Sequence, residues 1–163
     1  MKLTFLGTAA AEGIPFPFCE CATCRHARAN KGRNIRKRQT LLVNGDLLID
    51  VGPDLYASCA ELGLSLAELR YLLVTHSHED HFHAHNLMLR ARMFRLETEL
   101  PELTVIASPS AWAAWKASGG RDESASLRRV PFLPGHEAEL GPYRIEAIEA
   151  SHMPETGDAM NYI

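Results

Sequence analysis

The sequence predicts a single α/β domain in which strands and helices alternate along the chain and pack in layers. Two observations lead to this prediction. Short apolar segments bounded by Gly, Pro and Asn alternate with segments that have helical spacing. Hydrophobic residues make up 46% of the 163 residues, enough to bury a substantial core. We therefore expect residues 1–163 to belong to one domain.

The first half of the chain predicts strands on both sides of one helix. Asn44-Gly45 lies between two apolar segments and is a strong signal for a hairpin turn. Gly63 follows a helical segment and can end it in a left-handed conformation. The predicted elements are strand Lys2–Leu6, strands Thr40–Val43 and Leu47–Asp50, helix Leu55–Leu62 and strand Tyr71–Val74.

The second half predicts two further helices and then a series of strands. Helical spacing indicates helices over Leu87–Leu96, with its arginines toward solvent, and over Pro109–Ala117. The polar segment Arg121–Arg128 predicts a loop. The predicted strands are Leu103–Ala107, Arg129–Leu133, Glu137–Leu140, Tyr143–Ala150 and the start of another at Met160–Ile163.

Charge and hydropathy exclude several classes of protein. The net charge is −3, which argues against bulk binding of nucleic acid or of an acidic membrane surface. No apolar segment approaches the length of about 18 residues that a membrane helix needs. The apolar stretch near Met1 is too short for a secretion signal, so we expect a cytoplasmic protein. The one basic segment, Lys31–Arg38, is either a solvated loop, which we favour, or a contact to phosphate or nucleic acid.

Histidine is concentrated in the segment THSHEDHFHAH, residues 75–85, which holds five of the eight histidines. The segment follows the predicted strand Tyr71–Val74, and α/β proteins bind ligands at such strand ends. His76 and His78 can reach one metal ion from the same side, and Asp80 with His81 can face a second ion. Imidazole and carboxylate ligands suit zinc, manganese or iron(II). His83 and His85 lie on the first turn of the next helix, where contact with solvent or substrate is favoured over a ligand role.

The order His76-Ser77-His78-Glu79-Asp80-His81 matches an HxHxDH signature, and the sequence resembles the metallo-β-lactamase superfamily. Leu6-Gly7-Thr8 and Leu48-Ile49-Asp50-Val51-Gly52 resemble the first strand and the "IDxG" strand end of that superfamily. The resemblance implies a four-layer αββα sandwich with a metal site at one edge. It also implies that His76 and His78 bind the first metal together with His152, and that Asp80 and His81 bind the second.

Members of the superfamily carry a metal-bridging Asp and a final His later in the chain. Neither is evident here, because Asp158 precedes the expected last strand and no His follows His152. We therefore expect the sequence to correspond to the N-terminal part of such a domain, incomplete at the C-terminus. Either a missing C-terminal segment, which we favour, or a second copy in a homodimer would supply the remaining ligands, or the site works with fewer ligands.

Cys19, Cys21 and Cys24 form a C-x-C-x2-C cluster. Three thiolates this close can hold one tetrahedral structural zinc ion, with a fourth ligand from elsewhere. The alternative is three unrelated buried thiols. The cluster follows the loop Gly7–Pro15, and this order resembles the PhnP-like branch of the superfamily. His26 is a local candidate for the fourth ligand, and Cys59 is expected to be a small buried hydrophobic residue.

The resemblance and the predicted metal ligands together imply a metal-dependent hydrolase. Two divalent ions, zinc or manganese, would generate a hydroxide and neutralise charge on a phosphoryl oxygen. Asp80 would orient the hydroxide, and either His83 or a residue beyond the end of this sequence would protonate the leaving oxygen. The expected substrate is a small or cyclic phosphodiester. The alternatives are a hydrolase of RNA, a lactone or a thioester, and a non-catalytic metal-binding domain that needs a partner.

Overall fold

A computed structural model describes residues 1–95, 97–152 and 156–163, which fold into two β-sheets and a set of helices. The strands are β1 Leu3–Gly7, β2 Thr40–Val43, β3 Leu47–Ile49, β4 Tyr71–Leu73, β5 Leu103–Ala107, β6 Leu127–Pro131, β7 Glu137–Leu140, β8 Tyr143–Glu149 and β9 Met160–Tyr162. The helices are α1 Ala22–Asn30, α2 Leu55–Leu62, α3 Ala84–Met88, α4 Arg92–Arg95, α5 Pro109–Ala117 and α6 Asp122–Ala125, with a 3₁₀ turn at Gly32–Asn34.

The first sheet has six strands in the order β1-β2-β3-β4-β5-β6. Strands β1, β2 and β3 are antiparallel neighbours, while β3, β4, β5 and β6 run parallel. The second sheet contains β7, β8 and β9 in antiparallel order. Because β3 and β4 are parallel neighbours, the chain leaves both strands at the same edge of the sheet, and the polar segment 75–85 begins there.

Both faces of the first sheet are buried, which explains why its central strands are continuously apolar. Leu48, Leu72 and Val105 point to one face and pack with residues of α2, α3, α5 and α6. Their neighbours Leu47 and Ile106 point to the other face and pack against the second sheet. The layers are therefore helices, the six-stranded sheet and the three-stranded sheet, and the predicted class of α/β layers is confirmed.

Several predicted elements appear with the expected bounds. Helix α2 covers Leu55–Leu62 and ends at Gly63, whose φ is 63° and which lies in the left-handed region. Helix α5 begins after Ser108, whose hydroxyl accepts a hydrogen bond from the amide of Ala111. In the hairpin between β2 and β3, Asn44 has a φ of 51° and Gly45 a φ of 94°. These residues mark the ends of the elements because each residue type suits the backbone conformation or hydrogen bond that a helix end or a hairpin turn requires.

Two predictions about the second half are wrong. The expected helix Leu87–Leu96 is interrupted between α3 and α4, and residue 96 lies outside the described residues. Amides of Arg90 and Ala91 bond three residues back, and the Arg90 guanidinium turns inward to the carbonyls of Pro101 and Ala125. The expectation that the arginines of this segment face solvent therefore fails for Arg90. The segment expected to be a loop, Arg121–Arg128, contains helix α6 and the start of β6.

The second sheet is joined directly to the strand that carries the histidine segment. The amide of Met160 in β9 donates to the carbonyl of Thr75 at 2.8 Å. The hydroxyl of Tyr162 donates to the carbonyl of Val74 at 2.7 Å. These two bonds bring the end of β8, and with it His152, next to the end of β4.

Candidate metal centre

Three strand ends and one loop create the site. Asp50 follows β3, Thr75 follows β4 and His152 follows β8. The loop after β4 folds back onto Val51: the Val51 amide donates to the His81 carbonyl at 2.7 Å, and the His83 amide donates to the Val51 carbonyl at 2.9 Å. Backbone hydrogen bonds alone thus hold the histidine segment against the residue Val51 that follows β3.

His76, His78 and His152 converge at one point. One ligand atom from each of the three imidazoles lies within 4.8 Å of the other two. Nε2 of His152 lies 3.2 Å from Nδ1 of His78. The ring centroids of His76 and His152 are 4.6 Å apart. The structure therefore brings together the three residues that the resemblance assigns to the first metal, although they are separated by as many as 76 positions in the sequence.

The environment of the His76 ring favours coordination of a metal ion. Its Nε2 is buried and has no hydrogen-bond partner among the described residues. Burial, with smaller contributions from His81, His152 and His78, lowers the pKa of His76 to about 4. The ring is therefore neutral at physiological pH, with an unsatisfied nitrogen in a buried position. A neutral imidazole is the form that coordinates a metal ion.

His81 is held by a buried carboxylate. Nδ1 of His81 lies 2.7 Å from Oδ2 of Asp50, a residue that is fully buried. Oδ1 of Asp50 also accepts the amide of Thr75 at 2.8 Å and its hydroxyl at 2.9 Å. Burial disfavours the charged imidazole, but the hydrogen bond to Asp50 and its charge outweigh burial, so the pKa of His81 is raised. This contact fixes the ring and leaves Nε2 facing Asp80.

Asp80 lies beside His81 rather than among the three converging histidines. Oδ2 of Asp80 is 3.3 Å from Nε2 of His81. The backbone of Asp80 packs on Gly52, where an added Cβ would lie only 2.2 Å from the Asp80 carbonyl oxygen. The pair predicted to face a second metal is therefore adjacent in the structure. Its role as a metal site stays a prediction.

His83 and His85 lie apart from the three converging histidines. Nδ1 of His83 is 3.2 Å from Oε1 of Glu79, and the rings of His83 and His85 have centroids 5.3 Å apart. His83 immediately precedes helix α3, and His85 lies within it. The expected position on the first turn of a helix is thus found for His85, whereas His83 precedes the helix and its role in proton transfer stays a prediction.

The three clustered cysteines also converge. One sulfur atom from each of Cys19, Cys21 and Cys24 lies within 4.8 Å of the other two. The amide of Cys24, followed by the neighbouring thiols, lowers the pKa of Cys21 to about 7. His26 is not in this group, and its Nδ1 instead lies 3.2 Å from the side-chain Nδ2 of Asn30. The hydrogen bond from the Phe16 amide is outweighed by burial and the neighbouring thiols, so the pKa of Cys24 is raised. The convergence of the three sulfur atoms therefore carries the fit to a zinc ion, and His26 does not lie with them as a fourth ligand.

Some residues of the site were not identified from the sequence as contributors. Asp50 was recognised only as part of a strand-end pattern, and Thr75 only as the end of a strand. Arg38 and Asp54 form an ion pair that the sequence did not predict. Asp158 lies elsewhere: its Oδ2 accepts the Ser110 amide at 3.0 Å near the start of α5.

Comparison with known proteins agrees with this geometry. A family model described as the metallo-beta-lactamase superfamily matches residues 40–158. The chain belongs to this superfamily. No curated protein matches the chain at a significant level. Among the described residues, no helix is long and apolar enough to cross a membrane.

Several solved structures share the fold along nearly all of the chain. A diphosphatase of the PhnP family superposes with a TM-score of 0.75 at 19% identity, covering 99% of this chain and 60% of that one. Zn²⁺-bound PqqB from Methylobacterium extorquens superposes with a TM-score of 0.66 at 19% identity, covering 99% of this chain and 58% of PqqB. The short form of human tRNase Z superposes with a TM-score of 0.60 at 16% identity, covering 99% of this chain and 64% of the tRNase Z chain. The chain thus spans about three fifths of the length of these proteins, and the low identities show the fold alone.

Proposed function

We propose that this protein is a metal-dependent phosphodiesterase that hydrolyses a small or cyclic phosphodiester. The observation that supports the proposal most directly is the convergence of His76, His78 and His152 around a buried, unsatisfied nitrogen. The similarity of the fold to a PhnP-family diphosphatase favours a phosphoryl substrate over other substrates of the superfamily.

The positions of the side chains support a proposed set of metal ligands. His76, His78 and His152 would hold one divalent ion, zinc or manganese, and Asp80 with His81 would contribute to a second. When bound, such ions supply a hydroxide near neutral pH and neutralise charge on a phosphoryl oxygen. A further segment or a second copy of the chain would complete the second ligand set. The sulfur atoms of the cysteine cluster would hold a separate structural zinc ion.

The remaining residues of the proposed site either orient other groups or transfer a proton. Asp50 holds the imidazole of His81 in one orientation, and Asp80 orients the attacking water. His83 is assigned the protonation of the leaving oxygen, and its contact with Glu79 sets the direction of the ring. Three of the four cysteines lie within six residues, a spacing that suits metal binding in a reducing compartment, and we propose the cytoplasm.

Hydrolysis of bis(4-nitrophenyl) phosphate by the zinc- or manganese-supplemented protein tests the proposal. We expect metal-dependent release of 4-nitrophenol that falls by about 100-fold or more in His78→Ala and His152→Ala. His136→Ala is the matched control, because His136 packs against Phe132 and is outside the cluster. Absence of hydrolysis in fully metal-loaded protein would contradict the proposed activity.

A different hydrolase within the superfamily is the second candidate, supported by the fold shared with tRNase Z. The net charge of −3 argues against a long RNA substrate, which needs a broad basic surface. Cleavage of a precursor tRNA at rates above those for the small diester would favour this candidate. Binding of one ion or none at the histidines would instead favour a non-catalytic domain that needs a partner.

A further inference from the structure

A cavity opens beside the histidine site and contains one permanently cationic group. It has a volume of about 560 Å³ and is lined by Ala11, Arg38, Pro53, His78, Glu79 and Asp80. Arg38 is the only guanidinium or ammonium group among these lining residues. The same cavity therefore joins an arginine to His78 and Asp80, two of the proposed metal ligands.

The guanidinium of Arg38 is held in one orientation by Asp54. Nε of Arg38 donates to Oδ2 of Asp54 at 2.7 Å, and Nη2 forms an ion pair with Oδ1. The amide of Arg38 also donates to Oδ2, at 2.9 Å. These hydrogen bonds raise the pKa of Arg38 and lower the pKa of Asp54, so both groups are charged near neutral pH. A paired carboxylate of this kind pre-organises the planar fork of the arginine.

The backbone around this pair is fixed relative to the metal site. The amide of Gln39 donates to the carbonyl of Ala9 at 3.0 Å, which ties the Arg38 segment to the chain just beyond β1. On the other side, Gly52, two residues before Asp54, packs against the backbone of Asp80. The position of the guanidinium relative to Asp80 is thus determined by direct backbone contacts rather than by a flexible loop.

One face of the guanidinium is available for a ligand. Among the described residues, Nη1 of Arg38 has no hydrogen-bond partner, and the side chain is 32% exposed. The other charged groups that line the cavity are the carboxylates of Glu79 and Asp80. Among the described residues that line this cavity, Arg38 therefore carries the one fixed positive charge that an anionic substrate would meet, apart from bound metal ions.

We propose that Arg38 binds a non-bridging oxygen of an anionic phosphodiester, and that Asp54 positions Arg38 for this contact. This inference rests on the proposed phosphodiesterase function and adds a determinant of specificity to it. It predicts that the site prefers a substrate with a negative charge on the reacting phosphate over an uncharged ester with the same leaving group. Asp54 is a positioning residue that acts through Arg38.

Two substrates with one leaving group test the contact. Bis(4-nitrophenyl) phosphate is anionic, whereas diethyl 4-nitrophenyl phosphate is an uncharged triester. In Arg38→Gln we expect kcat/KM for the anionic diester to fall by about 10- to 100-fold, the range for a charged hydrogen bond, while the triester changes by less than about threefold. Arg33→Gln is the matched control, because Arg33 belongs to the same basic segment but lines a different cavity.

Binding of inorganic phosphate to the metal-loaded protein, measured by calorimetry, gives a second readout that does not need turnover. We expect Arg38→Gln to weaken phosphate binding about tenfold or more and to leave the metal content unchanged. If wild type hydrolyses neither ester but Arg38→Gln still loses phosphate affinity, the proposed function fails and the Arg38 contact stands. If Arg38→Gln binds phosphate like wild type, or loses activity on both esters equally, the contact is refuted while the proposed function remains.

Discussion

The buried carboxylate of Asp50 lies 2.7 Å from Nδ1 of His81, and it also accepts hydrogen bonds from the amide and hydroxyl of Thr75. Asp50 has a φ of 63°, an unusual value for a residue with a side chain. The chain therefore adopts a sparsely populated conformation at the position where its carboxylate orients a proposed metal ligand. Such a residue is expected to control metal affinity although it does not contact the metal.

Asp50→Asn should reduce the metal affinity of the histidine site by about 10- to 100-fold, since the orienting carboxylate of His81 is lost. Competition titration with a chromogenic chelator measures this affinity. Asp122→Asn is the control, because Asp122 bonds to Trp115 and Arg129 away from the histidines. Equal affinities for wild type and Asp50→Asn would show that this contact does not support metal binding.

The metal-free protein should lose stability as the pH falls from about 6.5 to about 4, and His76 should contribute to the loss. In this range the unfolded chain, with an ordinary histidine pKa of 6.5, binds a proton that the folded His76 excludes. Urea unfolding after chelator treatment, at several pH values, measures the effect. In His76→Asn the dependence on pH should be shallower. The raised pKa of His81 acts in the opposite direction and is retained in both proteins. An identical pH dependence in the two proteins would contradict the burial of His76.

Gly52→Ala should lower both stability and metal affinity, because the new Cβ would meet the Asp80 carbonyl oxygen at 2.2 Å. The cost in the free energy of unfolding should be about 1–3 kcal/mol or more, as for other overpacked positions. Gly63→Ala provides the contrast: it has open space but a φ of 63°, so it should cost about 1 kcal/mol and leave metal affinity intact. Thermal unfolding with and without metal distinguishes the two, and unchanged metal affinity in Gly52→Ala would contradict the contact.

Cys21→Ser should remove one bound zinc ion and lower the melting temperature, whereas Cys59→Ser should leave the zinc content unchanged. Cys21 belongs to the three-thiol cluster, while Cys59 packs alone against the helix side of the core. Zinc content by mass spectrometry, together with calorimetry, measures both effects. Retention of all bound zinc in Cys21→Ser would show that the cluster is a set of unrelated thiols.

Local signals in the sequence predicted much of the fold. Strands such as Leu103–Ala107 are buried throughout and almost entirely apolar because both faces of the sheet are covered, and Ser108 directly before helix Pro109–Ala117 caps that helix. The segment Leu87–Leu96 was mispredicted because its helical spacing gave no sign that Arg90 would turn inward. Tertiary contacts with carbonyls far along the chain decided that conformation.

The residues of the candidate site also fall into two groups: those that local spacing identifies and those that only the fold brings together. The spacing of His76, His78, Asp80 and His81 is local, and the sequence was sufficient to identify these residues as candidate ligands. The contact between Asp50 and His81 joins residues 31 positions apart, and the Arg38–Asp54 pair joins residues 16 apart. No local pattern specifies such pairs, because they depend on which strand ends become neighbours in the sheet.

Metal content of the purified chain, measured together with its intact mass, tests the central claim most directly. We expect one ion at His76, His78 and His152 and one at the cysteine cluster, with a third at Asp80 and His81 once the second ligand set is complete. His76→Ala and His152→Ala should lose the ion held by the three histidines and keep the one at the cysteines. If these variants bind as much metal as wild type, the three converging histidines do not form a metal site and the proposed chemistry has no basis.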